Sequence, residues 1–389
     1  MNCNEILEKF RKKEINCNEI LLDFINKIFR NTGEVFKSIY PKESNSTALN
    51  SLSGKITDIN NKEYFFKFHT EENENLTQSN DMYNSSILHS NGWNVLKPKF
   101  CSTKVGEQCV IYEWNDSPTL YQLLLEQEKH YGQFGKYTDD KSNLISSISN
   151  SLQNINSCLF NTLELNTDSS NSPIHQLFGV RLKNCNKVTS RATKFYGEFL
   201  KSNQANIAFK IKGEKFYPIK YYFELMQKYL DAKNFKNVSS VIAHGDEHFA
   251  NQMLLNDQVV LFDPAFASRM PLILSQIKAV THNVLCHPYW YYESAQVEDL
   301  FDLPKSIIRE EILDLYKQKI WNNIISQLKS EKVSEEYLFN TIFSAVLASP
   351  LLAKNLSIQC LNNTPKTIDY FKYSIYRSKR IVEFLIDTK

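Results

Sequence analysis

Val241-Ile-Ala-His244-Gly245-Asp246-Glu247-His248-Phe249-Ala250-Asn251, followed by Val259-Val-Leu-Phe-Asp263-Pro264, decides how this chain is read. An apolar strand runs into a loop that presents His, Asp and Asn. A second apolar strand then ends in an acid. Transfer of a phosphoryl group from a nucleotide needs this set of side chains. A carboxylate must stand beside the attacking hydroxyl, and an amide and a second carboxylate must hold the metal on the phosphates. Asp246 and Asn251 have the Asp-x4-Asn spacing of a kinase catalytic loop, and Asp263 stands where the metal-binding acid after the next strand belongs.

On these residues the chain resembles the aminoglycoside phosphotransferase and choline kinase superfamily, relatives of protein kinases that phosphorylate small molecules. The resemblance rests on HGDxHxxN at His244 to Asn251 and on the strand ending in Asp263. Gly245 stands where protein kinases carry Arg. The resemblance implies an α+β, bilobal, protein-kinase-like fold. An N-terminal antiparallel sheet would carry the nucleotide, and a larger helical C-terminal lobe would carry the loop and the acceptor site. It implies ATP and magnesium as cosubstrate and cofactor. Asp246 would be catalytic, and Asn251 and Asp263 would be metal ligands. His244 and His248 would be structural. Many relatives have an acid two residues after the metal Asp; here that place is Ala265. A similar Asp-Pro-Glu-Phe occurs in methylthioribose kinases, so Pro264 is not disqualifying.

The remainder of the chain is read outward from that block. Val35–Tyr40 and Ala48–Ser53 read as strands, and Ile56–Ile59 with Tyr64–Phe68 as a hairpin turning at Asn60-Asn61. Lys67 lies mid-strand among aromatics, where a lone charge wants a partner. Alone it reads as a solvated lysine on an open sheet face; beside the 241–263 block it reads as the phosphate-binding lysine. No GxGxxG is present, and Ser51-Leu52-Ser53-Gly54 is the candidate phosphate turn, with Ser53 a donor. A helix is expected over Glu74–Ser90. The resemblance, through a Glu-x6-Leu pattern in the family, implies that Asp81, seven residues before Leu88, pairs with Lys67, with Glu71, Glu72 and Glu74 as rivals. Val95–Pro98 and Cys109–Trp114 read as the next strands. The second leads through Asn115-Asp116-Ser117-Pro118 into a helix over 119–127. That step resembles an interlobe hinge, with adenine on backbone groups near Glu113 and Trp114.

This divides the chain into an N-terminal helical extension (1–34), a nucleotide-binding sheet lobe (35–116) and a helical lobe (117–389). Helices are expected over 141–160, 175–202, 216–235, 271–287, 305–328, 334–356 and 366–386. Asn161–Ser172, rich in Asn, Ser and Thr, reads as a loop.

Composition narrows the classes. The net charge is +2 with mixed signs over 389 residues, so no nucleic-acid footprint appears. No apolar run has the length of a membrane span, and Phe343–Ala353 suits a buried helix. The eight cysteines contain no CxxC pair and read as reduced thiols of a cytoplasmic protein.

His287-Pro288-Tyr289-Trp290-Tyr291-Tyr292-Glu293 is the candidate acceptor site, with Trp290 and Glu293 able to hold an ammonium group. The acceptor is then an amine-bearing alcohol or an aminoglycoside; the alternative is a sugar kinase of methylthioribose-kinase type. The same aromatics also suit plain helix packing. Two other classes stay open. His244, Asp246 and His248 alternate and could ligate the metal of a hydrolase. The chain could also be a non-catalytic kinase-like binding module, although Asp246, Asn251 and Asp263 are all present.

Overall fold

The computed structural model describes residues 5–6, 17–41, 51–69, 81–102, 104, 106–107, 109–184, 189–285, 306–353 and 364–387. They divide into two compact units. The first comprises residues up to Ser90, Asn94–Ser117 and Phe262–Ala265; the second comprises Asn91–Trp93, Pro118–Leu261 and Phe266 onward.

The first unit is a five-stranded antiparallel sheet in the order β1-β2-β3-β5-β4. Helix α1 (Cys17–Phe29) precedes β1 (Phe36–Pro41), β2 (Ser51–Asp58) and β3 (Glu63–His69); α2 (Asp81–Ser90) comes before β4 (Phe100–Ser102) and β5 (Cys109–Glu113). Helix α1 places Leu21, Phe24, Ile25 and Phe29 on one side at helical spacing. These side chains share one core with Phe36, Ile39, Ile56, Tyr64, Phe66 and Ile111 from the sheet. The N-terminal helix is therefore part of the sheet's hydrophobic core. Asn26 ties it further, since its side chain both donates to Phe36 O (2.9 Å) and accepts from Phe36 N–H (2.8 Å).

Two strand boundaries differ from the sequence reading. Ser51–Asp58 is one strand, not two separated at Gly54. Leu52, Gly54, Ile56 and Asp58 are all buried, so the period-two alternation passes straight through the glycine. The Ser51–Gly54 stretch is therefore ladder and not a phosphate turn; Gly54 pairs with Pro41 on one side and Phe66 on the other. The strand expected at Val95–Pro98 instead lies at Phe100–Ser102, after Pro98. Proline lacks the N–H a ladder needs, which moves the pairing past it.

The second unit is mostly helical. It contains α3 (Leu120–Phe134), α4 (Lys141–Asn161), β6 (Glu164–Thr167), α5 (Arg191–Lys201), the hairpin β7 (Phe209–Ile211) and β8 (Glu214–Phe216), and α6 (Ile219–Tyr229). Next come β9 (Val238–Ala243), β10 (Gln252–Leu255), β11 (Gln258–Leu261) and β12 (Ser268–Pro271). Then follow α7 (Ile307–Tyr316), α8 (Asn322–Ser330), α9 (Glu335–Ala353) and α10 (Thr364–Ile386). A sheet-bearing unit and a mostly helical one make the α+β arrangement that the sequence predicts. Helix α3 opens with a capping box: Thr119 Oγ1 accepts from Gln122 N–H (3.3 Å) and Gln122 Oε1 from Thr119 N–H (2.9 Å). Helix α9 is long and apolar enough to cross a membrane by composition, but 72% of it is buried inside the protein, as in a core helix.

Four expected segments differ in the structure. The Asn/Ser/Thr stretch contains β6, which pairs with β9 through a register shift. Its polar sequence suits an exposed edge strand, where the outer side chains meet water. The helices expected over 175–202 and 216–235 are interrupted. The first breaks into turns at Ile174–Leu177 and Gly179–Leu182 before α5. The second yields Phe216 to a hairpin whose two loop residues, Lys212 (φ 48°) and Gly213 (φ 84°), are both left-handed. The helix expected over 271–287 is β12 followed by short helical turns, Ile277–Val280 being one. This segment is buried on all sides, so it lacks the one-sided period that marks a surface helix.

Candidate active site

In the second unit, β9 is the central strand of a three-stranded sheet, between β12 and β6. It delivers the chain to His244, which is fully buried. The His244 Nδ1 atom accepts the Asp246 N–H at 3.3 Å. Gly245 between them has φ +80°, and a Cβ there would lie 3.0 Å from Met270 Cε and 3.1 Å from Ile174 Cδ1. Both backbone conformation and space therefore call for glycine. The Asp246 carbonyl then gathers the loop: it accepts from His248 N–H (2.9 Å) and from Asn251 Nδ2 (2.9 Å). Asn251 N–H closes a turn onto His248 O at 2.7 Å. Phe249 N–H donates to Asn283 Oδ1 (2.7 Å), anchoring the loop to the segment after β12. Asp246 and Asn251 are thus brought together by local hydrogen bonds. Beyond the loop, β10 and β11 form a tight hairpin whose turn residues Asn256 and Asp257 are both left-handed.

The Asp246 carboxylate lies against the Lys278 ammonium and the His248 ring. Lys278 Nζ is 3.1 Å from Asp246 Oδ1, and His248 Nε2 is 3.8 Å from the same oxygen. Lys278 Nζ also lies 3.1 Å from His282 Nε2, which is 3.0 Å from Ser349 Oγ. The His248 and His282 rings stack with centroids 5.2 Å apart. Burial pushes the His282 ring well below the usual histidine range, and the Lys278 ammonium adds to this. Glu247 points into the core and is 1% exposed. Gln276 Nε2 donates to its Oε1. Burial pushes the Glu247 carboxyl up to about 8, and neighbouring Asp246 adds to the shift.

In the first unit, Lys67 and Asp263 form a hydrogen-bonded ion pair with side chains 13% and 21% exposed. Asp263 has φ +61°, a conformation that Asp adopts more readily than most residues. Asn84 on α2 donates to Pro264 O (3.0 Å) and Ala265 O (3.4 Å), which fixes the backbone that carries Asp263. Ser53 is the direct ladder partner of Lys67, so the two side chains share a sheet face. Among the described residues, the acid that meets Lys67 is Asp263, and Glu71, Glu72 and Glu74 lie outside the described residues. Asp81 opens α2, and its side chain lies outside the described residues.

At the expected hinge both side chains and one backbone N–H have partners. The Glu113 carboxylate meets Lys62 at 2.7 Å, and this contact holds it below the usual carboxylate range. Trp114 N–H donates to Glu63 O at 3.2 Å, and its indole N–H to Asp116 at 2.6 Å. Trp290 and Glu293 fall outside the described residues.

Asn251 and Asp263 are hard oxygen donors of the kind magnesium prefers. The amide nitrogen of Asn251 is committed to the Asp246 carbonyl, so its oxygen is the end available to a cation. Each side chain by itself has the donor chemistry that suits the ion. Among the described residues no group of three or more His, Cys, Asp or Glu is arranged to hold a metal. His244, which the hydrolase reading needs as a ligand, has Nδ1 committed to the Asp246 backbone. Sequence reasoning missed Lys278, Gln276, His282 and Asn283. Their signal was present, since they are polar residues in the otherwise apolar run 271–285, and buried polar groups need partners.

No family model matches this sequence, and no curated protein matches it. Several solved structures align along most of their length. A spectinomycin phosphotransferase, APH(9)-Ia, in complex with ADP and spectinomycin is 12% identical over 95% of this chain and 98% of its own, with a TM-score of 0.44. Aminoglycoside phosphotransferase APH(4)-Ia with ADP and hygromycin B is 8% identical over 93% and 97%, at 0.45. An ethanolamine kinase of Plasmodium vivax is 14% identical over 87% and 82%, at 0.39. TM-scores below 0.5 at such identities carry no argument about what this chain does.

Proposed function

We propose that this chain is an ATP- and magnesium-dependent phosphotransferase acting on a hydroxyl of a small molecule. The ion pair between Lys67 and Asp263 carries the reading. Lys67 lies mid-strand, and Asp263 follows a strand 196 residues later in the sequence. Their chemistry singles out each separately as a phosphate or metal group, and they meet. Asp246 orients the acceptor hydroxyl and takes its proton as the oxygen bonds the γ-phosphorus. The bond from that phosphorus to the β,γ-bridging oxygen breaks, and ADP leaves. Positioning and charge neutralisation do most of the work in such a transfer. Lys67 binds phosphate oxygens, with Ser53 beside it on the same face. Magnesium, held by Asn251 and Asp263, would supply charge neutralisation on the phosphates.

The acceptor we favour is an amino alcohol or aminoglycoside, held by Trp290 and Glu293, in a cytoplasmic setting. The experiment is ADP release from MgATP against a panel of amino alcohols, aminoglycosides and methylthioribose. Stimulation by amines but not by neutral sugars supports this acceptor class. Preferential turnover of methylthioribose moves the assignment to a sugar kinase. No ADP release with any acceptor or with water refutes the phosphotransferase.

A further inference from the structure

We propose that Lys278 is a positioning residue for the Asp246 carboxylate, itself held in place by His282 and Ser349. The inference rests on the phosphotransferase reading. Lys278 lies on the helical turn Ile277–Val280, and its side chain is only 9% exposed. A buried ammonium needs charged or hydrogen-bonding partners. Its contacts are Asp246 Oδ1 and His282 Nε2, each at 3.1 Å.

For Nε2 to accept from an ammonium, the His282 ring must be neutral with its proton on Nδ1. Its surroundings favour that state: burial, Lys278, His248 and Arg181 all disfavour a charged ring. Ser349 Oγ lies 3.0 Å from the same nitrogen and sits on the buried core helix α9. His248 stacks on the His282 ring and brings its own Nε2 to 3.8 Å from Asp246 Oδ1. The ion pair with Lys278 thus holds one carboxylate oxygen from a buried helical turn. Fixing that oxygen fixes the plane in which the other must meet an acceptor hydroxyl. A displacement of about 1 Å at a reacting group can cost roughly 100-fold in rate.

A purely structural lysine would neutralise buried charge and nothing more, so the test separates rate from binding and folding. Lys278→Met, Lys278→Arg and His282→Phe are compared with wild type. ADP release from MgATP is followed with water and with the fastest acceptor of the panel. Lys278→Met is expected to fold, to bind MgATP within about threefold of wild type, and to lose about 100-fold in kcat. Lys278→Arg restores a cation and should recover at least about tenfold over Lys278→Met. His282→Phe keeps a ring on His248 but removes the acceptor, so kcat falls about tenfold with MgATP binding unchanged. If Lys278→Met does not fold, the Arg and His282 variants carry the same comparison. The inference is overturned if wild type turns over and these variants keep its kcat within about threefold, or lose only MgATP affinity. A wild-type protein that releases no ADP overturns the proposed function, and the inference with it.

Discussion

Replacing Glu247 by Gln should stabilise this protein, and by an amount that depends on pH. Glu247 is buried, and its carboxyl is pushed from an ordinary 4.5 up to about 8, chiefly by burial. Gln276 Nε2 donates to Glu247 Oε1, while Glu247 Oε2 and Gln276 Oε1 make no hydrogen bond among the described residues. Two acceptors left over in one pair are what a protonated acid resolves, because its O–H becomes the donor the amide oxygen lacks. The sign follows from proton binding. Between pH 4.5 and about 8 the folded protein keeps a proton that the unfolded chain has released. Stability attributable to Glu247 therefore falls as pH rises through that window, by roughly 1.4 kcal/mol per pH unit. It is unaffected below the window and falls no further above it.

At pH 7 the penalty is about 3 kcal/mol, a substantial share of the stability of most domains. Gln reproduces the protonated acid, with an N–H in place of the O–H, and has no proton to lose. The assay is urea unfolding of wild type and Glu247→Gln at several pH values, followed by fluorescence of buried Trp93 and Trp321. The difference between the two proteins cancels every other titrating group. It should be near zero at pH 4.5 and grow to about 3 kcal/mol in favour of Gln at pH 7. A difference that stays flat from pH 5 to pH 8 would mean that the acid is ionised and paired in the folded protein, which refutes the reasoning.

Arg309→Met should be strongly destabilising. It strips a bidentate partner (2.7 and 3.0 Å) from Glu128, which is buried. A loss of about 3–5 kcal/mol is expected, and Glu128→Leu combined with Arg309→Met should recover most of it; an unfolding midpoint unmoved by the single change contradicts this. Asp263→Ala should abolish the magnesium dependence of ATP binding, and Lys67→Ala should weaken binding through the phosphates. Calorimetry with and without magnesium tests both, and wild-type MgATP affinity in Asp263→Ala would remove it from the metal site. Trp290→Ala should raise the KM for an amine acceptor while leaving ATP binding alone; unchanged acceptor kinetics would take Trp290 out of the acceptor pocket.

What could be read from the sequence had local causes. Tyr64 to Phe68 is rich in aromatics, which favour strands, so the sequence itself places Lys67 on β3. The loop after β9 announces itself because His244, Gly245 and Asp246 interrupt an apolar strand, and the hydrogen bonds that shape it span seven residues or fewer, Phe249 to Asn283 excepted. The pairing of Lys67 with Asp263 joins residues 196 apart and has no local signature. Strand β6 escaped because an exposed edge strand needs no apolar alternation. The 271–285 segment escaped because burial on every side erases periodicity, and with it went Lys278, Gln276 and Asn283. Gly54 misled in the opposite direction, since glycine suggests a turn, whereas here the ladder runs through it.

The most direct measurement is MgATP turnover by Asp246→Asn against the acceptor that the wild-type protein uses. Asn preserves the size of the side chain but cannot take a proton, while the loop is shaped by the Asp246 backbone carbonyl, which is untouched. The variant should fold, bind MgATP as wild type does, and lose transfer by several orders of magnitude. Wild-type turnover in Asp246→Asn would contradict the proposed role of Asp246 and the phosphotransferase mechanism built on it.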